Sequence, residues 1–460
     1  MAGRAAASRP PLSLCQTTAF LKGWPSRSIR VGNNSKLPVD VFFLQSRDGV
    51  DMYTDGWRYF SLLPCDPTTA PAPEDETLLC LIFKSNVKDN AHFAVTSLDG
   101  LRWSAKGIVV MPPHLYLNDS RWSLKHNLAL LRHDGAMLAV GGTGRTDGGG
   151  GTSIARTTKS FASLPRFARS PSRAYDSASD WALAVAASRH FGAAGHHLWA
   201  EARPLVNSSH PGCVENRTDV SFGMGSSKQL IIEASRTGWK TGQCRYDGRL
   251  SLAHHNGRFW LYARANVFQG GRAVQVTSSA DGVTWEPFKL ISVADYNPFD
   301  RTDPKSEPNM YFFAVEKNPV AQDSLIALFP LIHNRSACVA MSCSRDGVHF
   351  SRPTPLLRCM PDTRHATPLY HPVAGLVKRR ESIWFYVHRY VPNLKFGPEA
   401  IKSFCSKGLR LRECSNSSNY QGVRAFDEAL SPRITRHDVP AAALMAWTVA
   451  NRCASNSIAL

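Results

Sequence analysis

The sequence predicts an all-β fold, a β-propeller of five blades with six as the alternative, and three observations carry that prediction. A Ser-x-Asp-Gly-x-x-aromatic heptad recurs: Ser97, Asp99, Gly100 and Trp103; Ser279, Asp281, Gly282 and Trp285; Ser344, Asp346, Gly347 and Phe350. Each copy follows two apolar, strand-like runs. Helical periodicity is scarce, with only 181–189 and 441–449 reading as short helices.

The heptad explains itself as a turn. Asp-Gly suits a tight hairpin, the Gly taking the positive φ that other residues avoid. The Asp carboxylate accepts N–H bonds inside the turn, the Ser closes the incoming strand, and the aromatic anchors the outgoing one. A weaker fourth copy holds Ser46, Asp48, Gly49 and Met52. Asp48 and Asp99 lie 51 residues apart and Asp281 and Asp346 lie 65 apart, each the length of one blade with variable loops.

The runs assign the elements in order. Residues 78–83 with 93–96 precede the first strong copy, 259–264 with 273–278 the second, and 325–331 with 338–342 the third. Each pair reads as two antiparallel strands joined by a short loop. Further strands fall at 311–315 and 383–388. Blades then lie at 37–60 with 76–110, from about 123 (strands 128–131 and 137–140), at 247–291, at 309–357, and from 370 onward. Residues 402–460 close the ring or pack beside it. The Gly-rich stretch 141–151 reads as flexible, and a long irregular insertion occupies about 141–245. Residues 1–36 contain no acidic side chain and lack an apolar signal core, so they read as a disordered basic leader. The remainder, 37–460, is expected to be a single propeller domain and a monomer.

Bulk properties narrow the function. The chain has 460 residues, 43% hydrophobic and 20% charged, with a net charge of +18. Such a balance fits an acidic partner, an anionic glycan included. Dispersed charge without interleaved aromatics speaks against nucleic acid. No apolar run reaches about 18 residues, so no membrane span is expected. Eleven cysteines without zinc spacing point to disulfides and an oxidising compartment, with at least one thiol left over. Cys338 and Cys343 lie five apart, Cys405 and Cys414 suit a small loop, and Cys213 and Cys244 bracket a polar segment. Asn-x-Ser/Thr triplets at Asn33, Asn118, Asn207, Asn216, Asn334 and Asn416 agree with a secreted glycoprotein. No nucleophile elbow, phosphate loop or dinucleotide fingerprint is present, and no cofactor or metal is expected.

The recurring heptad resembles the Asp-box, or BNR repeat, of sialidases. The stretch from Tyr246, Asp247 and Gly248 through Arg258, Phe259, Trp260, Leu261 and Tyr262 resembles the opening of a blade in five-bladed propeller glycoside hydrolases. The resemblance covers about 245–390 well and 37–140 faintly. It implies catalytic acids at inner-strand starts around a central funnel.

Glycoside hydrolysis needs two carboxyls, one protonated and one ionised. Asp247 opens a blade and is the candidate for the ionised group; a turn aspartate before Gly248 is the alternative. Glu307 precedes the next blade, or is a loop acid after its connection. Asp219 and Glu233, within the insertion, are candidates for a third carboxylate. Arg249, Arg264 and Arg389 follow or end strands and suit a carboxylate or sulfate, if they are not structural ion pairs. His126 and His371 stand at blade starts and are candidate funnel residues. The expected function is a glycosidase acting on extracellular or secretory-pathway glycans. The alternative is a non-catalytic carbohydrate-binding propeller.

Overall fold

A strand buried along its whole length needs a neighbour on each face, and Leu325–His333 is buried at every position. The fold meets that requirement by stacking sheets radially, so each sheet is covered from both sides. The structure is a computed structural model. It describes residues 19–28, 30–31, 58–66, 77–84, 92–104, 108–111, 126–144, 150–163, 200–207, 249–266, 272–298, 308–333, 336–361, 370–389 and 433–454.

Within these residues antiparallel meanders follow one another along the chain, two of them joined into one sheet by the parallel pairing of Arg272 with Asn309. The first joins Arg58–Pro64, Leu79–Lys84, His92–Ser97 and Ile108–Met111. The second joins His126–His133, Ala136–Gly144, Gly150–Thr157 and Ala200–Asn207. The third joins Ser251–His255, Arg258–Asn266, Arg272–Ser279 and Lys289–Leu290. In the fourth, an interrupted inner strand (Asn309–Met310, Ala314–Lys317) leads to Leu325–His333, Ser336–Ser344 and Thr354–Pro355. The fifth runs through His371–Pro372, Ser382–Arg389 and Arg433–Pro440.

Five apolar clusters bind the meanders pairwise. Cys80 and Ile82 of the first pack on Leu128 and Met137 of the second. Ala129 and Val140 of the second meet Leu252 and Leu261 of the third. Tyr262 and Val276 of the third meet Val315 and Phe329 of the fourth. Ile326 and Met341 of the fourth meet Ile383 and Phe385 of the fifth. Tyr386 and Ile434 of the fifth meet Phe60 and Leu81 of the first. The last seam closes the ring, and Ser61 also bridges Ala374 in parallel there. The chain is a β-propeller.

Closure uses the chain's own start. Ser26–Ser28 is the outermost strand of the fifth meander, with Ser26 opposite His437 and Ser28 opposite Thr435. Leu21 is buried in the cluster holding Phe385 and Leu444. The expectation of a disordered leader over 1–36 therefore does not hold for 19–28 and 30–31: an outer strand left open would expose unpaired N–H and C=O groups, and Ser26–Ser28 pairs them. Of the insertion expected at about 141–245, residues 141–144, 150–157 and 200–207 are strand. Gly150–Thr157 pairs with Ala136–Gly144, and Ala200–Asn207 adds to it, so the Gly-rich stretch flanks a strand pairing.

The three strong heptads fold as their chemistry requires. Ser97, Ser279 and Ser344 each end the third strand of a meander. Each Ser hydroxyl donates to its Asp and accepts the Gly N–H. Each Asp Oδ1 accepts the next two N–H groups beyond the Gly. Gly100, Gly282 and Gly347 hold φ of 66°, 69° and 77°. Trp103, Trp285 and Phe350 are buried beneath the turns. The copy at Ser46 to Met52 lies outside the described residues.

The helix expected at 441–449 is Ala441–Ala450, seated on the fifth meander through Leu444. The helix expected at 181–189 lies outside the described residues. Disulfides join Cys65 to Cys80, Cys338 to Cys359 and Cys343 to Cys453. Cys338 and Cys343 share one strand at an odd separation, so they face opposite sides and each finds a different partner. Cys213, Cys244, Cys405 and Cys414 lie outside the described residues.

Candidate functional site at the axis of the ring

In a closed ring of sheets, side chains from non-neighbouring meanders meet only across the axis. Among the described residues, such meetings join the first meander to the third and to the fourth. Arg249, leading into the third meander, donates from Nη1 to the Phe60 carbonyl at 2.8 Å and from Nη2 to Ser61 Oγ at 2.6 Å, both in the first. Tyr59 of the first meander and Tyr311 of the fourth share a hydroxyl–hydroxyl bond of 3.0 Å. Their rings stack at 6.4 Å with an interplanar angle of 21°.

Tyr59 reaches the axis through a local irregularity. The pairing register shifts between Arg58 and Ser61, and Tyr59 holds φ at 55°. An aromatic residue in that region is rare, and such bulges re-aim side chains near functional sites. Phe312 stands edge-on to Tyr59 at 6.0 Å and to His371 at 5.3 Å. His371, almost fully buried, also lies 5.4 Å from Tyr311.

Cations cover these rings. Arg249 lies 5.8 Å from the Phe312 centroid, Arg272 lies 5.2 Å from Tyr311, and Lys84 Nζ lies 5.7 Å from Tyr59. Burial pulls the Arg249 guanidinium down to about 10, while Glu316 and Tyr59 act to raise it. Glu316, in the inner strand of the fourth meander, accepts the Leu376 N–H at 2.8 Å. Desolvation pushes its carboxyl up to about 7, against the lowering effect of the Leu376 and Gly375 N–H groups and of Arg249. A carboxyl poised there can hold or release a proton near neutrality.

Of the residues expected from sequence, Arg249 and His371 come together around Phe312. Arg389 lies away from Arg249 in its described contacts: its Nε donates to Thr435 Oγ1 at 3.2 Å, and its guanidinium covers Tyr370 at 5.6 Å. Arg264 is buried within the second strand of the third meander. His126 begins the inner strand of the second meander, opposite Gly142, and its side chain lies outside the described residues. Asp247, Glu307, Asp219 and Glu233 also lie outside them. Sequence reasoning missed Tyr59, Tyr311, Phe312 and Glu316. An acid closing the strand-like run 311–315 was the available signal for Glu316; nothing in the sequence announces the bulge at Tyr59.

No family profile matches the sequence, and no curated protein matches it. Solved structures do. An N-acetylgalactosamine deacetylase from F. plautii superposes with a TM-score of 0.37 and 12% identity over 72% of this chain and 79% of that one. A family 117 glycoside hydrolase from Zobellia galactanivorans gives 0.39 and 10% over 82% and 87%. The α-L-arabinanase of Penicillium chrysogenum gives 0.38 and 9% over 84% and 98%.

Proposed function

We propose that the chain is a glycoside hydrolase-like propeller, one domain acting on extracellular or secretory-pathway glycans, anionic ones included. The observation that carries this reading is the axial group of Tyr59, Tyr311, Phe312 and Arg249 beside the raised carboxyl of Glu316. Aromatic faces stack on the C–H faces of sugars, and a guanidinium holds hydroxyl, carboxylate or sulfate oxygens. The proposed catalytic carboxylates are Asp247 as the ionised group, Glu307 as its counterpart and Asp219 as a third. Asp247 precedes Arg249 by two residues and Glu307 precedes Asn309 by two, so both stand in sequence beside segments that reach the inner strands. The recurring turns are read as Asp-boxes, and the disulfides and Asn-x-Ser/Thr triplets support a secreted glycoprotein.

Sugar release from a glycan panel tests the reading. Asp247→Asn and Glu307→Gln should each lower turnover by about 10²–10⁴-fold. Full turnover in both variants would remove the mechanism. Saturable glycan binding with no product from the wild type would assign a carbohydrate-binding propeller instead.

A further inference from the structure

His133 ends the inner strand of the second meander, and His254 stands one residue from the end of that of the third. Both strands turn at once into two-residue hairpins, Asp134-Gly135 and Asn256-Gly257, with φ of 46°, 64°, 52° and 71°. Such turns fix the ends of the strands they join. The two imidazoles meet across the seam, their centroids 4.2 Å apart and their planes at 43°. Phe259, on the second strand of the third meander, lies 4.9 Å from each ring. The heptad turn at Gly282 rests on the same phenyl ring, 3.4 Å from where a Cβ would stand. Successive residues of a strand face opposite ways, so His255 turns to the fourth meander, and its Nε2 donates to the Arg345 carbonyl at 2.7 Å. That side is also fastened by the Ser251 hydroxyl, which donates to the Val315 carbonyl and accepts the Val315 N–H. Towards the second meander the third presents apolar side chains, Leu252 and Leu261 among them, and His254.

We propose that His133 and His254 form an acid-released clasp between the second and third meanders: neutral rings hold the ends of the two inner strands together, and protons taken up from solvent by both rings part them. The physical cause is like-charge repulsion at contact distance. Asp134 Oδ2 lies 3.1 Å from His133 Nε2, so one carboxylate, its side chain 82% exposed, stands beside the pair. It can match one imidazolium but not two. Lys317, at the end of the fourth meander's inner strand, and His255, on the same strand as His254, add to the repulsion. Burial, the largest influence, holds the His254 ring below the usual histidine range; His133, Lys317 and His255 lower it further, and Asp134 acts to raise it. One of the clasped strands begins at His126, and the other follows Arg249, whose guanidinium grips the first meander. The clasp therefore puts two inner walls of the ring under the control of pH.

A histidine held neutral by the fold contributes stability that is complete above its unfolded value near 6.5 and is lost as pH falls below it. The test is hydrogen exchange of the full-length protein from pH 7.5 to 5, with protection factors corrected for intrinsic rates. Amides of 129–133 and 251–255 should lose protection below about pH 6.5, by up to tenfold per pH unit for each proton taken up on opening. Those of Leu325–His333, buried at every position, should hold theirs, which separates the clasp from global acid unfolding. This comparison needs no variant. His254→Phe keeps a ring in the stack that takes no proton, and should retain its neutral-pH protection throughout. In His133→Phe, the carbon-13 signals of the His254 ring should titrate at higher pH than in the wild type. No loss below pH 6.5, an equal loss in both sets of amides, or the wild-type slope in His254→Phe would overturn the proposal. So would a His254 titration that ignores His133→Phe. None of these readouts involves a glycan, so the clasp stands or falls apart from the hydrolase reading.

Discussion

With φ at 107°, Gly375 occupies backbone space that side-chain-bearing residues rarely enter, and a Cβ there would lie 2.0 Å from the Leu62 carbonyl oxygen. Backbone cannot yield as a flexible side chain does, so Gly375→Ala should lower stability by about 3 kcal/mol or more, read from urea unfolding. An unchanged midpoint would contradict the seam between the fifth and first meanders. His437 makes a pH-dependent prediction at the same scale. Burial, aided by Arg389, lowers it to about 4, so its neutral form is favoured in the folded state. A depressed histidine contributes stability that is complete above its unfolded value near 6.5 and is lost as pH falls through about 4. Unfolding free energies measured across that window should decline toward acid, and the decline should shrink in His437→Gln.

At the scale of the element, two of the three Ser-Asp-Gly turns do more than reverse the chain. The turn of the fourth meander presses Gly347 onto Trp260 and Tyr262 of the third, and Tyr262 donates to the Gly347 carbonyl at 2.9 Å. That of the first presses Gly100 onto Trp384 and Tyr386 of the fifth, where Tyr386 donates to the Gly100 carbonyl at 3.1 Å. In both cases a Trp-x-Tyr pair on a second strand receives the turn of the next meander, whereas Gly282 faces Phe259 of its own meander. Tyr386→Phe should cost about 1 kcal/mol by leaving a buried carbonyl unpaired, measured by chemical denaturation. Desolvation acts to raise the Asp346 carboxyl, but N–H bonds from Val348 and His349, the Ser344 hydroxyl and the His349 ring hold it well below its usual range. Its stabilising effect is therefore present above about pH 4 and disappears in stronger acid. Asp346→Asn should be less stable at pH 7 and lose less on acidification; a parallel pH profile would refute this account of the turn.

Across the whole molecule, ring closure depends on both ends of the described chain. Ser26–Ser28 completes the fifth meander, and the Cys343–Cys453 bridge fastens the C-terminal segment to the fourth over a separation of 110 residues. A cross-link closing a loop of that length restricts the unfolded chain by about 4–5 kcal/mol. Cys453→Ser should lose stability of that order in unfolding experiments, and removal of residues 1–31 should open the fifth meander to hydrogen exchange. Full protection of Arg433–Pro440 amides in the truncated chain would show that the outer strand is dispensable.

What the sequence determined by itself is local and repetitive. Ser97, Asp99, Gly100 and Trp103, with their two strong repeats, specify turns whose bonds run between residues at most three apart, so no distant partner is needed to read them. The strands around them were legible for the same reason, and so was the short helix beside the ring. Arg249 could be marked as a candidate because it borders a strand, and His371 because it opens a blade. Their neighbours were decided only by the tertiary structure: Tyr59 crosses to Tyr311, Arg249 to Phe60, and Glu316 to Leu376. The role of Ser26–Ser28 was decided there too, because an outer strand is defined by its pairing rather than by its own composition. Periodicity records how one segment presents its faces, whereas an axis exists only once distant segments have closed around it.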